Sequence, residues 1–270
     1  MKKSFLRLLL LIAIIPPLLT SCIEQQVIFL SPYPNIQTSY NATPLLRDSM
    51  RVANYGSVGF TNGSSNDNLS DRLFIAHLKF HQSLLVGKNV QFFYGLQGSA
   101  GSYKVNWADY YSYPYYVDPV RLHALEGGRF TGSAGLLGGV SLVIPMGHRF
   151  EWKVIGVEGS VSKEFGDYQS FRENIPDSLV TMVDRKSLPG SVGGFTEFNF
   201  ALKNKKSMGM KFGLGSGLTT LDSKVQYYNR INTMYYIMGY HFTIDRYTGY
   251  FQGRFGDYFA GFLCGVSYRF

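Results

Sequence analysis

The chain has 270 residues, 26 Lys and Arg against 18 Asp and Glu, a net charge of +8 and 45% apolar residues. Beyond the amino-terminal leader no segment approaches the roughly 18–20 consecutive apolar residues of a membrane helix, which excludes a helical membrane protein. No compact Lys/Arg run is interleaved with aromatics, so nucleic acid is not an expected partner. The basic balance suits contact with anionic lipid or lipopolysaccharide, and also plain basic loops and turns.

In chain order, Lys2, Lys3 and Arg7 precede a short apolar run, Leu8 to Ile15, the pattern of a secretory signal peptide. The run leads to Leu19-Thr20-Ser21-Cys22. These four residues resemble the bacterial lipobox. The resemblance implies cleavage before Cys22, diacylglycerol on its thiol and acylation of the new amino group; ordinary cleavage beside a chance Cys is the alternative. Pro16-Pro17 departs from the usual apolar stretch and favours extended backbone there. Residues 1–21 are therefore expected to be a signal peptide and 22–50 a lipidated tether, extended because Pro32, Pro34 and Pro44 lie among Ser, Asn and Thr. No acidic run follows Cys22, so the expected anchor is in the periplasmic leaflet. The apolar Val27 to Leu30 is a weak docking candidate. Cys264 is the one other cysteine, so a lipidated Cys22 leaves no intrachain disulfide.

Residues 51–270 carry the period-2 alternation of strands. Eight are expected: Arg51–Phe60, Leu73–Gln82, Val90–Gly101, Phe130–Ile144, Arg149–Lys163, Val192–Leu202, Met208–Leu218 and Asp257–Phe270. Parity slips near Val154-Ile155, which predicts a bulge. Long connections at 104–128, 164–190 and 222–256 alternate with short turns, as in membrane barrels with short periplasmic turns. A ten-stranded barrel is the alternative, because Tyr235–Ile244 can supply another hairpin strand. The fold class is thus all-β, an antiparallel up-and-down transmembrane β-barrel.

The last strand shows Phe262, Cys264, Val266, Tyr268 and Phe270 on one face and ends on an aromatic residue. In this it resembles the closing strand of bacterial outer-membrane barrels. The resemblance implies that Val266, Tyr268 and Phe270 form the signal read by the barrel-assembly machinery. The whole of 51–270 resembles small OmpA-like barrels in pattern only.

Eight strands enclose a lumen that side chains can fill. Parity turns His77, Lys79, Glu158, Glu197, Lys211 and Arg269 inward, a candidate polar plug of opposed charges; a proton or ion path is the alternative. His77 and His81 lie about 13 Å apart along a strand, too far for one metal ion. No metal is expected, and no cofactor beyond the lipid on Cys22. His81-Gln82-Ser83 resembles the His-x-Ser of outer-membrane lipid A deacylases, with Leu84 where that family carries a polar residue.

Trp107, Tyr110, Tyr111, Tyr113, Tyr115 and Tyr116 crowd one connection, and a second set including Tyr227, Tyr228, Tyr235 and Tyr240 crowds another. Such Tyr clusters suit a protein interface or an aromatic girdle. The expected function is a lipid-anchored outer-membrane barrel, with its amino terminus in the periplasm, acting as a structural or accessory subunit with another envelope protein. A lipid-modifying enzyme and a narrow channel are the alternatives.

Overall fold

The computed structural model describes residues 27–36, 40–46, 50–66, 70–106, 119–218, 222–223, 233–256 and 258–270. In chain order the elements are β1 (Ile28–Phe29), the short helix α1 (Tyr33–Ile36), β2 (Val52–Ser65), β3 (Asp71–Val86), β4 (Val90–Val105), α2 (Pro119–His123), β5 (Gly127–Pro145) and β6 (Phe150–Phe165). They continue with α3 (Asp167–Asn174), β7 (Met182–Val183), β8 (Gly190–Ala201), β9 (Lys206–Gly217), β10 (Asp222–Ser223), β11 (Met234–Ile244), β12 (Tyr247–Gly256) and β13 (Phe259–Arg269).

Ten strands close into an antiparallel barrel in the order β2-β3-β4-β5-β6-β8-β9-β11-β12-β13. β13 returns to β2, with Phe259 opposite Ser65 and Arg269 opposite Tyr55, and the amide of Phe270 donates to the carbonyl of Asn54 at 3.0 Å. Closure leaves no open edge, so the ladder hydrogen bonds are satisfied within the chain.

The outer face is apolar along every strand. Val58, Phe60, Phe74, Leu78, Phe80, Phe92, Leu96, Leu136, Phe242, Phe262 and Val266 all point outward and are exposed. An apolar belt continuous around a closed sheet matches a lipid solvent, not water. Cys264 sits on this face as a small free thiol among hydrophobes. Exposed Arg51, Lys88, Arg149, Lys203, Lys205 and Arg246 ring one end, where the turns are short.

The count of eight strands is corrected to ten, the alternative reading. The stretch 222–256 is not one connection: it holds β11 and β12, paired from Tyr235 opposite Gly256 to Ile244 opposite Tyr247. Two features hid this hairpin. Its turn, Asp245-Arg246, lacks the Gly or Asn-Gly pair that marks tight turns, and Asp245 adopts φ 53° without glycine. Aromatics also occupy both of its faces, Tyr235 and Tyr250 inward and Tyr236, Tyr240 and Phe251 outward, which blurs the period-2 pattern. By contrast, the charged turn at 203–205 is legible in sequence, with Asn204 and Lys205 at φ 58° and 53°. The predicted bulge is present: Leu142 pairs with Ile155 and Val143 with Lys153, so Val154 is skipped.

The connections sort onto two ends. Residues 87–89, 146–149, 202–205 and 245–246 make the short-turn end; the β2–β3, β4–β5, β6–β8, β9–β11 and β12–β13 connections leave from the opposite, long-loop end, where 166–189 is described throughout. At the long-loop end β1 pairs in parallel with β7, and β10 pairs antiparallel to β7, a three-stranded cap.

Candidate functional site in the barrel lumen

Strand side chains alone do not fill the barrel. Residues 27–36 and 40–46 lie inside it, and their contacts descend the lumen in step with their numbers. At the long-loop end the amide of Thr181 donates to the Val27 carbonyl at 2.8 Å, and that of Asp184 to the Phe29 carbonyl at 2.9 Å. The Tyr33 hydroxyl meets Thr131 Oγ1 at 3.0 Å, and the Arg254 guanidinium donates to the Asn35 carbonyl. Midway, Lys79 Nζ donates to the Tyr40 carbonyl at 2.8 Å and to Asn41 Oδ1 at 2.9 Å. Lower, His81 Nε2 donates to the Ala42 carbonyl at 2.8 Å and Gln91 Nε2 to the Pro44 carbonyl at 2.7 Å. The Leu46 amide donates to Glu151 Oε2 at 3.1 Å, and β2 begins six residues later at the short-turn end. The extended tether expected outside the barrel is therefore, over these residues, a strap threaded through it.

Strand–strand ion pairs and the strap's neutral acceptors together satisfy the lumen cations. Lys211 Nζ lies 2.7 Å from both carboxylate oxygens of Glu158. Lys153 Nζ lies 2.8 Å from Glu197 Oε1 and 2.7 Å from Thr43 Oγ1 of the strap. His241 Nε2 bonds Asn199 Oδ1 at 2.9 Å, and its ring stacks on Tyr40. In this layer, among the described residues, Lys79, Lys153, Lys211 and Arg254 lie with Glu158 and Glu197, all six of them buried. Lys79 and Arg254 donate to strap carbonyls. A buried cation without such acceptors would carry an uncompensated desolvation cost, so strap and lumen charges depend on each other.

Apolar contacts lock the two ends. Val27, Phe29, Tyr33 and Ile36 pack with Leu73, Tyr103, Tyr168 and Phe259, and Tyr40 and Ala42 pack with Tyr55, Tyr250 and Leu263. This accounts for Phe259 and Leu263, large apolar residues on the inward face of the last strand.

Above the barrel, α3 lays Arg172 into the cap. Its guanidinium sits 2.5 Å from Glu164 Oε2, donates to the Asp184 carbonyl and lies 3.9 Å from Asp184 Oδ2. Burial pushes the Asp184 carboxyl above the usual aspartate range, with Arg172 pulling the other way. Tyr103 and Tyr168 stack at 3.8 Å between centroids, and the Tyr103 hydroxyl donates to Asp71 Oδ2 at 2.8 Å.

The residues singled out from sequence are placed as follows. His77, Lys79, Glu158, Glu197 and Lys211 face the lumen and are buried; His77 Nε2 bonds Thr61 Oγ1 at 2.8 Å. Arg269 does not join them. It is half-exposed at the short-turn rim, where it donates to the Asp245 carbonyl at 3.2 Å, because the last strand runs past the filled lumen before ending. Glu158 takes Lys211, from the expected set, and Glu197 takes Lys153, from outside it. Val266 and Phe270 are exposed on the outer face and Tyr268 partly so. Cys22 and the aromatic set Trp107, Tyr110, Tyr111, Tyr113, Tyr115 and Tyr116 lie outside the described residues, as do Tyr227 and Tyr228. His81 and Ser83 both face inward and are buried, with His81 Nε2 engaged by the strap, so this pair does not look onto lipid.

Lys153, Glu151, His241 and Arg254 are lumen residues that the sequence reading missed. The bulge at Val154-Ile155 obscures the parity of Lys153, and His241 and Arg254 fall in the hairpin read as a loop. The signal for the strap was compositional: Asn41-Ala42-Thr43-Pro44 is a run of small side chains that fits a narrow lumen.

No protein-family model matches the chain, and no curated protein matches it in sequence. Among solved structures, an outer-membrane channel from Pseudomonas putida F1 superposes with a TM-score of 0.45 at 10% identity, covering 86% of this chain and 98% of that one. The β-domain of the Bordetella autotransporter BrkA gives 0.43 at 10% identity, covering 82% and 100%. The translocator domain of the Neisseria meningitidis autotransporter NalP gives 0.41 at 13% identity, covering 81% and 88%. The likeness is one of general barrel architecture.

Proposed function

We propose that this chain is a bacterial outer-membrane barrel, kept shut by its own strap, that serves as a lipid-anchored structural or accessory subunit of an envelope protein complex. The observation that carries the reading is the occupied lumen: residues 27–46, where described, fill the path that a channel would need, and hydrogen bonds hold them there. The enzyme reading loses its candidate nucleophile, because Ser83 is buried on the lumen side. The basic short-turn rim suits anionic headgroups, and the aromatic set of the 104–128 connection, Trp107 to Tyr116, is the candidate contact for another envelope protein. Outer-membrane lipid and lipopolysaccharide are the surrounding partners, and the barrel-assembly machinery is the partner during insertion.

Planar-bilayer recording tests the closed lumen. The intact protein should give no steady current, whereas Lys79→Met combined with Lys153→Met, which removes three donor contacts to the strap, should give intermittent steps. Reproducible single-channel steps from the intact protein would overturn the reading. For the partner role, Tyr113→Ala with Tyr115→Ala in a folded barrel should release a protein that co-purifies with the wild type in mild detergent; retention of every partner would remove this connection as the interface.

A further inference from the structure

We infer that the chain enters its own barrel from the outside, so that the peptide before Val27 is displayed at the cell surface and a lipid on Cys22 sits in the outer leaflet. The inference rests on the membrane-barrel reading, which sets short turns in the periplasm and long loops outside.

The direction of the strap is the argument. Val27 and Phe29 are hydrogen-bonded to Thr181 and Asp184, in the connection between β6 and β8 at the long-loop end. Each later strap contact lies nearer the short-turn end, through Lys79 and Gln91 to Glu151, where β2 begins. The amino-terminal end of the described strap is therefore at the long-loop end and its carboxy-terminal end at the short-turn end.

Reach then fixes the side of the anchor. Cys22 is five residues from Val27, and five residues span at most ~17 Å. β3 alone has 16 residues, which at ~3.3 Å per residue and a tilt of ~40° rises roughly 40 Å. A chain starting at Val27 cannot return to the periplasmic leaflet over that height, and the lumen is already occupied by the strap itself. The lack of an acidic run behind Cys22, which favoured a periplasmic anchor from sequence, gives way to this geometric constraint.

The fold also supplies a reason for the arrangement to persist. Val27, Ile28 and Phe29 are fully buried beneath the cap, and β1 is one of its strands. Withdrawing the strap inward would expose these side chains, break the β1–β7 pairing and strip Lys79 and Arg254 of their carbonyl acceptors.

The test inserts an epitope between Gln25 and Gln26 of the full chain. A second chain carries the same epitope between Asn204 and Lys205 in a short turn. Only chains that give the folded, heat-modifiable band are scored. Antibody and added protease should reach the Gln25/Gln26 epitope on intact cells to the same extent as on permeabilised cells, and the Asn204/Lys205 epitope only after permeabilisation. If both epitopes require permeabilisation, the threading is wrong although the barrel stands. If the two exchange behaviours, the orientation is reversed and the surface anchor is lost with it. Should the insertion at Gln25/Gln26 fail to fold, the epitope placed between Glu24 and Gln25 is read by the same criterion. If neither insertion yields a folded barrel while the turn insertion does, the amino-terminal peptide cannot be the free surface extension inferred here.

Discussion

Replacing Arg172 by Met should loosen the cap while leaving the barrel closed. The guanidinium is fully buried and lies 2.5 Å from Glu164 Oε2, with Asp184 at 3.9 Å on its other side. Met keeps much of the side-chain volume but removes the cation, which leaves two carboxyl groups buried against each other. Removing one partner of a buried pair costs about 3–5 kcal/mol. At about 1.4 kcal/mol per factor of ten, the cap should open between a hundredfold and a few thousandfold more often. Proteolysis tracks that open population when closing is faster than cleavage, so proteinase K added to the purified barrel should cut within 166–189 faster by a comparable factor. The triple variant Arg172→Met, Glu164→Gln, Asp184→Asn, which removes the stranded charges, should return the rate to within about tenfold of wild type by the same reasoning. The pH dependence has a definite sign. Asp184 has a raised folded-state value, so its contribution to cap stability is fully present below the ordinary aspartate value of about 3.9 and is lost as pH rises through the raised one. In Arg172→Met, with the compensating cation gone, that loss should steepen, and cleavage should accelerate from acidic to neutral pH more than in wild type. A single variant cut within about threefold of wild type, or a triple variant as open as the single, would refute the view that this ion pair holds the cap.

Other expectations follow from the same structure. Lys211→Met strands Glu158 and should lower the urea midpoint of the vesicle-embedded barrel by the equivalent of about 3 kcal/mol, whereas Lys211→Met with Glu158→Leu should recover most of it; equal losses would show that the pair is not the stabilising unit. Gly95→Val should abolish the heat-modifiable band, because a Cβ there meets the Phe80 carbonyl, while Gly249→Ala, with open space around it, should fold like wild type. Cys22→Ala should lose incorporation of labelled palmitate; undiminished label would mean that the lipobox resemblance misled.

The sequence by itself determined the barrel class and most of its strands, because lipid on one side and a narrow lumen on the other force a strict period-2 alternation that survives in Phe74/Leu78/Phe80 and in Phe262/Val266/Phe270. It also placed the bulge at Val154-Ile155, since an extra residue inverts parity, and brought Glu158, Glu197, Lys79 and Lys211 to the inner face. The tertiary structure alone decided the rest. Ten strands instead of eight depended on a turn, Asp245-Arg246, whose backbone conformation is imposed by the pairing of β11 with β12, not by turn-forming residues. Which cation meets which carboxylate depended on register around the closed sheet, so Lys153 reached Glu197 while Arg269 stayed at the rim. The strap was the least legible feature. Residues 27–46 carry no periodicity of their own, because a segment held inside a lumen is shaped by acceptors and packing surfaces that ten other segments supply. Its direction exists only once those segments have closed around it.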